Sequence, residues 1–297
     1  MSIGVGLICD DGIVMAADTL FEGNSKTHDR KLWGVIQPAN KKLTWAIASA
    51  GLDAHIRGLV GKLQARTGRL RSFNGLHDKI EETSRQFFEQ EVWTTPQISI
   101  DQYPDVLIAI AEGERQRLYT LTTSGGLSPV AKPFAFVGSG GPLADYLAQT
   151  FFDPSAGITA AQYLAAHIVR QAKAHAPGVG GQTHIAVIPK GFKPSYLNDE
   201  SVARIETYFE LFMEQASKLT YAGLYPTPHA HMDADIDELK RIVREIRRIA
   251  HQGEPFGEQL QQRFGAPRAA TPTPPASTDD PKDRPPSPES PGESGGS

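Results

Sequence analysis

The chain has 297 residues, 39% of them hydrophobic, and a formal net charge of −4. That suffices for a substantial core in one large domain or two ordinary ones, and the acidic balance argues against a dominant nucleic-acid surface. Cys9 is the only cysteine, so there is no internal disulfide framework, and with neither a charged leader nor a run of the ~20 apolar residues a membrane helix needs, a cytoplasmic protein is expected.

In chain order, Ile3 to Cys9 and Ile13 to Ala17 are apolar runs around the turn signal Asp10-Asp11-Gly12, which predicts a hairpin ending at Asp18. Cys9 sits inside the first run and reads as a small apolar core residue. Phe21 to Arg30 is polar and reads as a loop, and Lys31 to Ile36 and Leu43 to Ala50 read as two strands, the second ending at Gly51. Leu52, Ile56, Leu59, Val60 and Leu63 recur at helical spacing, predicting a helix from Leu52 to about Leu70, and a second follows from Leu76 to about Val92. Asp105 to Ala111 and Leu118 to Thr123 form another strand pair. Phe134 to Val137 is a short strand feeding the turn Gly138-Ser139-Gly140-Gly141. Leu143 to Phe152 and Thr159 to Ala174 read as two more helices, with Thr159 as N-cap, and Thr183 to Ile188 as a last central strand. Blocks of strands followed by helix pairs give an α+β protein.

Two amphipathic helices follow, Ser201 to Leu219 and Ile236 to Ile249. After about Pro267 the chain is rich in Pro, Ser, Thr, Asp and Gly and cannot bury enough surface to offset ordering entropy, so it is expected to be disordered. The domain expectation is therefore a main domain over residues 1–192, a helical extension over 193–266 and a Pro/Ser-rich tail over 267–297.

Chemistry concentrates at Ser2. Removal of Met1 would leave a hydroxyl and a free α-amine on one residue, and an α-amine with an unperturbed pKa of roughly 7.7 to 8.0 is a usable base near neutral pH. The run from Ser2 through the Asp-Gly turn to Ala16-Ala17-Asp18, continued by Lys31-Leu32, Ala50-Gly51-Leu52-Asp53-Ala54, Val137-Gly138-Ser139-Gly140-Gly141-Pro142 and Gly180-Gly181-Gln182-Thr183-His184, resembles proteasome β-type subunits and the bacterial heat-shock-locus V peptidase. The resemblance covers about residues 2 to 190. It implies a four-layer αββα sandwich of the N-terminal-nucleophile hydrolase type, assembled into a homo-oligomeric ring that cleaves peptide or protein substrates.

It also implies roles by position. Ser2 would supply the nucleophilic Oγ. Lys31 would place a cation beside it, Asp18 would keep Lys31 charged and oriented, Gly51 would offer an oxyanion-hole N–H, and Ser139 would sit near the nucleophile. Taken singly, each residue has an ordinary structural explanation: a turn cap for Asp18, a strand-edge charge for Lys31, a helix start for Gly51, a structural turn for Ser139. This chain has serine where the family usually has threonine, and Ala176 and Val179 where family members often carry Asp and Ser before the Gly-Gly pair. Two other functions stay open: a silent scaffold or binding subunit, and a small-molecule amidohydrolase on the same fold.

No cofactor is expected, and the sequence singles out no unfoldase partner. His229, His231 and Asp233 lack a fourth ligand at characteristic spacing and read as a polar loop. Gly138-Ser139-Gly140-Gly141 lacks the lysine of a phosphate loop, so no ATP site is expected. The charges around Arg241 to Arg248 read as a solvated or subunit-facing surface.

Overall fold

The computed structural model describes residues 2–21, 27–37, 40–96, 99, 102–224, 236, 237, 240, 241 and 244. The first hairpin is β1 (Gly4–Cys9) and β2 (Gly12–Asp18), paired antiparallel from Gly4↔Ala17 to Cys9↔Gly12. The stretch read as a loop contains a small ribbon, β3 (Leu20–Phe21) with β4 (Thr27–His28). Strands β5 (Leu32–Gln37) and β6 (Asn40–Ala50) lead into α1 (Asp53–Thr67) and α2 (Phe73–Phe87), which ends in a π-helical turn, Phe88–Val92. Then come β7 (Asp105–Glu112), β8 (Arg115–Leu121), β9 (Leu127–Pro129) and β10 (Phe134–Val137). Helix α3 (Gly141–Phe151), a 3-10 turn (Pro154–Ala156), α4 (Gly157–His175), β11 (Thr183–Pro189), β12 (Ser195–Tyr196) and α5 (Asp199–Leu224) complete the order.

Two five-stranded sheets result, ordered β10-β1-β2-β11-β12 and β5-β6-β7-β8-β9. Their two-residue periodicity sorts side chains into layers. In β2, Ile13, Met15 and Ala17 join Ala46, Ala48, Leu107 and Ala109 in a core between the sheets. The alternate residues Val14 and Ala16, with Val5, Leu7 and Cys9, face α3 and α4. On the other sheet Trp45, Ile47, Ile108 and Ile110 face Ile56, Leu59 and Leu63 of α1 and Leu76 and Ile80 of α2. The chain is thus an α+β protein with two sheets packed face to face and helices outside both, the αββα order.

The helix starts follow their capping acceptors, one distant in sequence and two local. Thr159 is not the N-cap of α4. That helix starts at Gly157, and its exposed Ile158 N–H donates to Asp11 Oδ1 at 2.8 Å, an acceptor from the β1–β2 turn. Helix α2 starts earlier than Leu76 because Ser72 Oγ accepts the Gly75 N–H at 3.2 Å and Phe73 is buried. Helix α5 begins two residues before Ser201, where Asn198 Oδ1 accepts the Ser201 N–H at 2.7 Å and acidic Asp199 and Glu200 suit the positive helix start. Its Val202 and Ile205 are buried in the same core as α3 and α4. The expected helix Ile236 to Ile249 lies mostly outside the described residues, with positions 236, 237, 240, 241 and 244 helical. The tail lies wholly outside them.

Candidate active site

Antiparallel pairing brings seven strand ends to one edge of the sandwich. The start of β1 meets the ends of β2 and β10, since Gly4 pairs with both Ala17 and Val137, and Asp18 pairs with Thr183 at the start of β11. On the facing sheet the start of β5 meets the end of β6 and the start of β7, through Leu32↔Ala48 and Ala50↔Asp105. Ser2, Asp18, Lys31, Gly51 and Ser139 all stand at this edge.

Four of the five are joined directly. Lys31 Nζ donates to Ser2 Oγ at 2.6 Å and to Asp18 Oδ1 and Oδ2, both at 3.1 Å, and also to Leu20 O. The Ser2 hydroxyl donates to Asp18 Oδ1. Asp18 is held further by the N–H groups of Ile3 (3.1 Å), Leu20 (3.3 Å) and Gly180 (3.1 Å). Ser2, Asp18 and Lys31 are 1%, 0% and 0% exposed, so this pair of charges is sealed from water. A buried ion pair is tolerated only when its remaining donors and acceptors are satisfied, and the three backbone donors on Asp18 meet that condition. The Phe21 ring, 4.5 Å from Lys31 Nζ, offers its face to the cation.

Ser139 approaches from the other side. Its Oγ accepts the Ser2 N–H at 3.2 Å and lies within donor range of Ser2 O (3.3 Å) and Pro177 O (2.9 Å). Gly140 N–H also donates to Ser2 O at 3.2 Å. Gly138 must be glycine: its φ is +87°, and a Cβ there would lie 2.4 Å from Ser2 O.

Gly51 makes no hydrogen bond to these four that the geometry records, and it stands beside them on the facing sheet. Its φ is +115° and a Cβ would fall 2.3 Å from Tyr103 O, so only glycine permits this turn. Two residues earlier, Ser49 N and Oγ both donate to Lys31 O, at 3.1 and 3.3 Å, which fixes the lysine backbone to the strand that ends at Gly51.

The sequence ties Asp18 to Lys31 alone, and the direct contact of Asp18 with the Ser2 hydroxyl is visible only in the structure. So is the role of Asp105, whose Oδ2 accepts the Gly138 N–H at 2.8 Å. No pattern marks a strand-initial carboxylate that acts through a backbone amide 33 residues away. Cys9 stays a core residue: burial, aided by Asp11 and Asp10, pushes its thiol up to about 12 and keeps it a neutral thiol. His229, His231 and Asp233 lie outside the described residues. Among the described residues no helix is long and apolar enough to cross a membrane.

Comparison with known proteins places the chain in a family. A family model described as "Proteasome subunit" matches residues 2–188. Among solved structures, Anbu (ancestral beta-subunit) from Yersinia bercovieri is 16% identical with a TM-score of 0.62, covering 73% of this chain and 96% of that one. Anbu from Hyphomicrobium sp. strain MC1 is 15% identical with a TM-score of 0.60, over 73% of this chain and 97% of that one. The helical assembly of the Anbu complex from Pseudomonas aeruginosa is 15% identical with a TM-score of 0.62, over 76% and 98%. At such identities these structures speak for the fold alone. No curated protein matches by sequence. The match over residues 2–188, on a chain that folds as two packed sheets between helical layers, means that this chain belongs to the proteasome subunit family.

Proposed function

We propose that the protein is an N-terminal-nucleophile hydrolase that cleaves peptide or other amide bonds through an acyl-enzyme on Ser2, after loss of Met1. The observation that carries this reading is the contact of Lys31 Nζ with Ser2 Oγ at 2.6 Å, inside a cluster where Asp18 binds both. A buried ammonium beside a hydroxyl favours the alkoxide that forms as the proton leaves.

In the proposed reaction Ser2 Oγ attacks the substrate carbonyl carbon and its proton passes to the α-amine of the same residue, directly or through water. Ser139 Oγ, which accepts an N–H from that nitrogen, orients the amine. Gly51 N–H stabilises the oxyanion, an interaction worth roughly 3 to 4 kcal/mol in comparable hydrolases. Collapse of the tetrahedral intermediate breaks the C–N bond, and the α-ammonium returns its proton to the leaving amine. Water then attacks the ester by the same path in reverse, releasing the acid and restoring Ser2.

The main domain over residues 1–192 carries this chemistry, and the extension over 193–266 supports it. The working form is a homo-oligomer, in line with the assembly named for the Pseudomonas aeruginosa relative. A second reading, a silent subunit, has one observation in its favour: in the chain that still carries Met1, Ser2 is 1% exposed. Hydrolysis of a mixed peptide library by the wild type and by Ser2→Ala separates the two. Cleavage by the wild type alone supports the nucleophile, and cleavage that survives Ser2→Ala places the chemistry elsewhere.

A further inference from the structure

Asp105 opens β7 and shares the parity of Leu107 and Ala109, which point into the layer between the sheets. Its carboxylate crosses that layer. Oδ2 accepts the N–H of Gly138, at the end of β10 in the other sheet, at 2.8 Å. Gly138 lies directly on Ser2: a Cβ there would meet Ser2 O at 2.4 Å and Ala50 Cβ at 2.9 Å. The next two residues hold the Ser2 main chain from both sides, Ser139 Oγ accepting its N–H and Gly140 N–H donating to its carbonyl.

The approach to β7 braces the other glycine as well. Asp105 is the ladder partner of Ala50, Leu52 N–H donates to Gln102 O at 3.1 Å, and Tyr103 O stands 2.3 Å from where a Gly51 Cβ would be. Residues 102–105 therefore support both turns, the one that holds the nucleophile and the one that would hold the oxyanion. Asp105 is the side chain that ties them together across the sheets.

An ordinary surface carboxylate would not need this place. Asp105 is exposed, yet desolvation by its surroundings raises its pKa more than the Gly138 N–H lowers it. The backbone amide is its partner.

We infer that Asp105 is a positioning residue: through Gly138 it fixes the Ser2 main chain, and with it the direction of Oγ and the α-amine, relative to Gly51 on the facing sheet. The inference rests on the reading of Ser2 as nucleophile. Its premise is that the lever arm is short, since misplacing a reacting atom by about 1 Å can cost about a hundredfold in rate.

The test is the saturation kinetics of Ser2 modification by a peptide epoxyketone, run on the full chain alongside deuterium exchange of the segment Phe134 to Pro142. Asp105→Ala should lower the limiting modification rate about tenfold or more while leaving the half-saturating concentration within about twofold. Asp105→Asn, which keeps an acceptor oxygen, should stay within about threefold of the wild type. The segment should exchange faster in Asp105→Ala than in Asp105→Asn. Should Asp105→Ala fail to fold, Asp105→Ser, whose hydroxyl falls short of Gly138, takes its place. Modification of the alanine variant at the wild-type rate, an asparagine variant as slow as alanine, or equal exchange in the two would overturn the inference. If the wild type itself is inert to the epoxyketone, the nucleophile reading fails, and the exchange arm still decides whether Asp105 holds the Gly138 turn.

Discussion

Lys31 Nζ stands 2.6 Å from Ser2 Oγ, and Asp18 Oδ1 accepts from both groups. Hydroxyl, ammonium and carboxylate form one closed unit, with lysine and carboxylate fully buried. Under the proposed reaction each side chain has a chemical role beside its structural one, and the two are separable by experiment.

Lys31→Met should abolish amide hydrolysis and also destabilise the fold, because it leaves Asp18 buried without its cation. Breaking one side of such a pair costs about 3 to 5 kcal/mol. The double variant Asp18→Asn, Lys31→Met should recover a large part of that loss and none of the activity. Urea denaturation of the single and double variants, read beside peptide turnover, checks this. A double variant no more stable than Lys31→Met contradicts the ion-pair account.

Ser139→Ala removes the acceptor for the Ser2 nitrogen and a donor to Pro177 O. Turnover should fall about tenfold, with a stability loss of about 1 kcal/mol, as for one hydrogen bond. Unchanged turnover would return Ser139 to a purely structural turn.

Helix α5 is expected to stabilise the main domain. Lys173 of α4 donates to Thr183 Oγ1 and Glu206 of α5, and the Thr183 hydroxyl donates to Glu206 as well. Thr183 is 3% exposed and is the ladder partner of Asp18. Glu206→Ala should cost about 2 kcal/mol by leaving the mostly buried Lys173 ammonium uncompensated. Chemical denaturation checks it, and a change near zero would mean that the Lys173 ammonium does not depend on Glu206 and that α5 is held by Val202 and Ile205 instead.

How much of this was legible in the sequence depends on how each contact is made. The first hairpin and the central strands were readable because apolar runs and Asp-Gly punctuation are local. That Ser2, Asp18, Lys31 and Ser139 should meet was an implication of the resemblance to proteasome β-type subunits, which periodicity alone does not carry. The start of α4 was not readable, because its capping acceptor, Asp11, lies 147 residues away and Thr159 looked like the local candidate. The Asp18 carboxylate was seen as a partner of Lys31 and not of Ser2 Oγ, since the hydroxyl contact exists only once β1 and β2 pair. Asp105 and the Gly180 N–H were invisible for the same reason: they act between backbone and carboxylate across the tertiary fold, where periodicity carries no information.

His167 of α4 gives the fold a pH dependence. Burial, with a smaller push from Arg170, lowers its pKa from 6.5 to about 4. The unfolded chain therefore binds more protons than the folded one between those values, so the stability is complete above about pH 6.5 and is lost as pH falls toward 4. The loss should reach about 3 kcal/mol. Denaturation series at neutral and acidic pH should show a shallower decline for His167→Gln than for the wild type, and equal declines would contradict the assignment.

The central claim is that Ser2, bearing a free α-amine, is the nucleophile, and intact-mass analysis with a peptide epoxyketone tests it most directly, because that reagent closes a ring using a hydroxyl and an amine on the same residue. The account predicts a purified chain lighter by one methionine that gains the mass of one inhibitor, with the adduct on Ser2 and absent in Ser2→Ala. Retained Met1, an acetylated Ser2, or an adduct mapped to any other residue would contradict it.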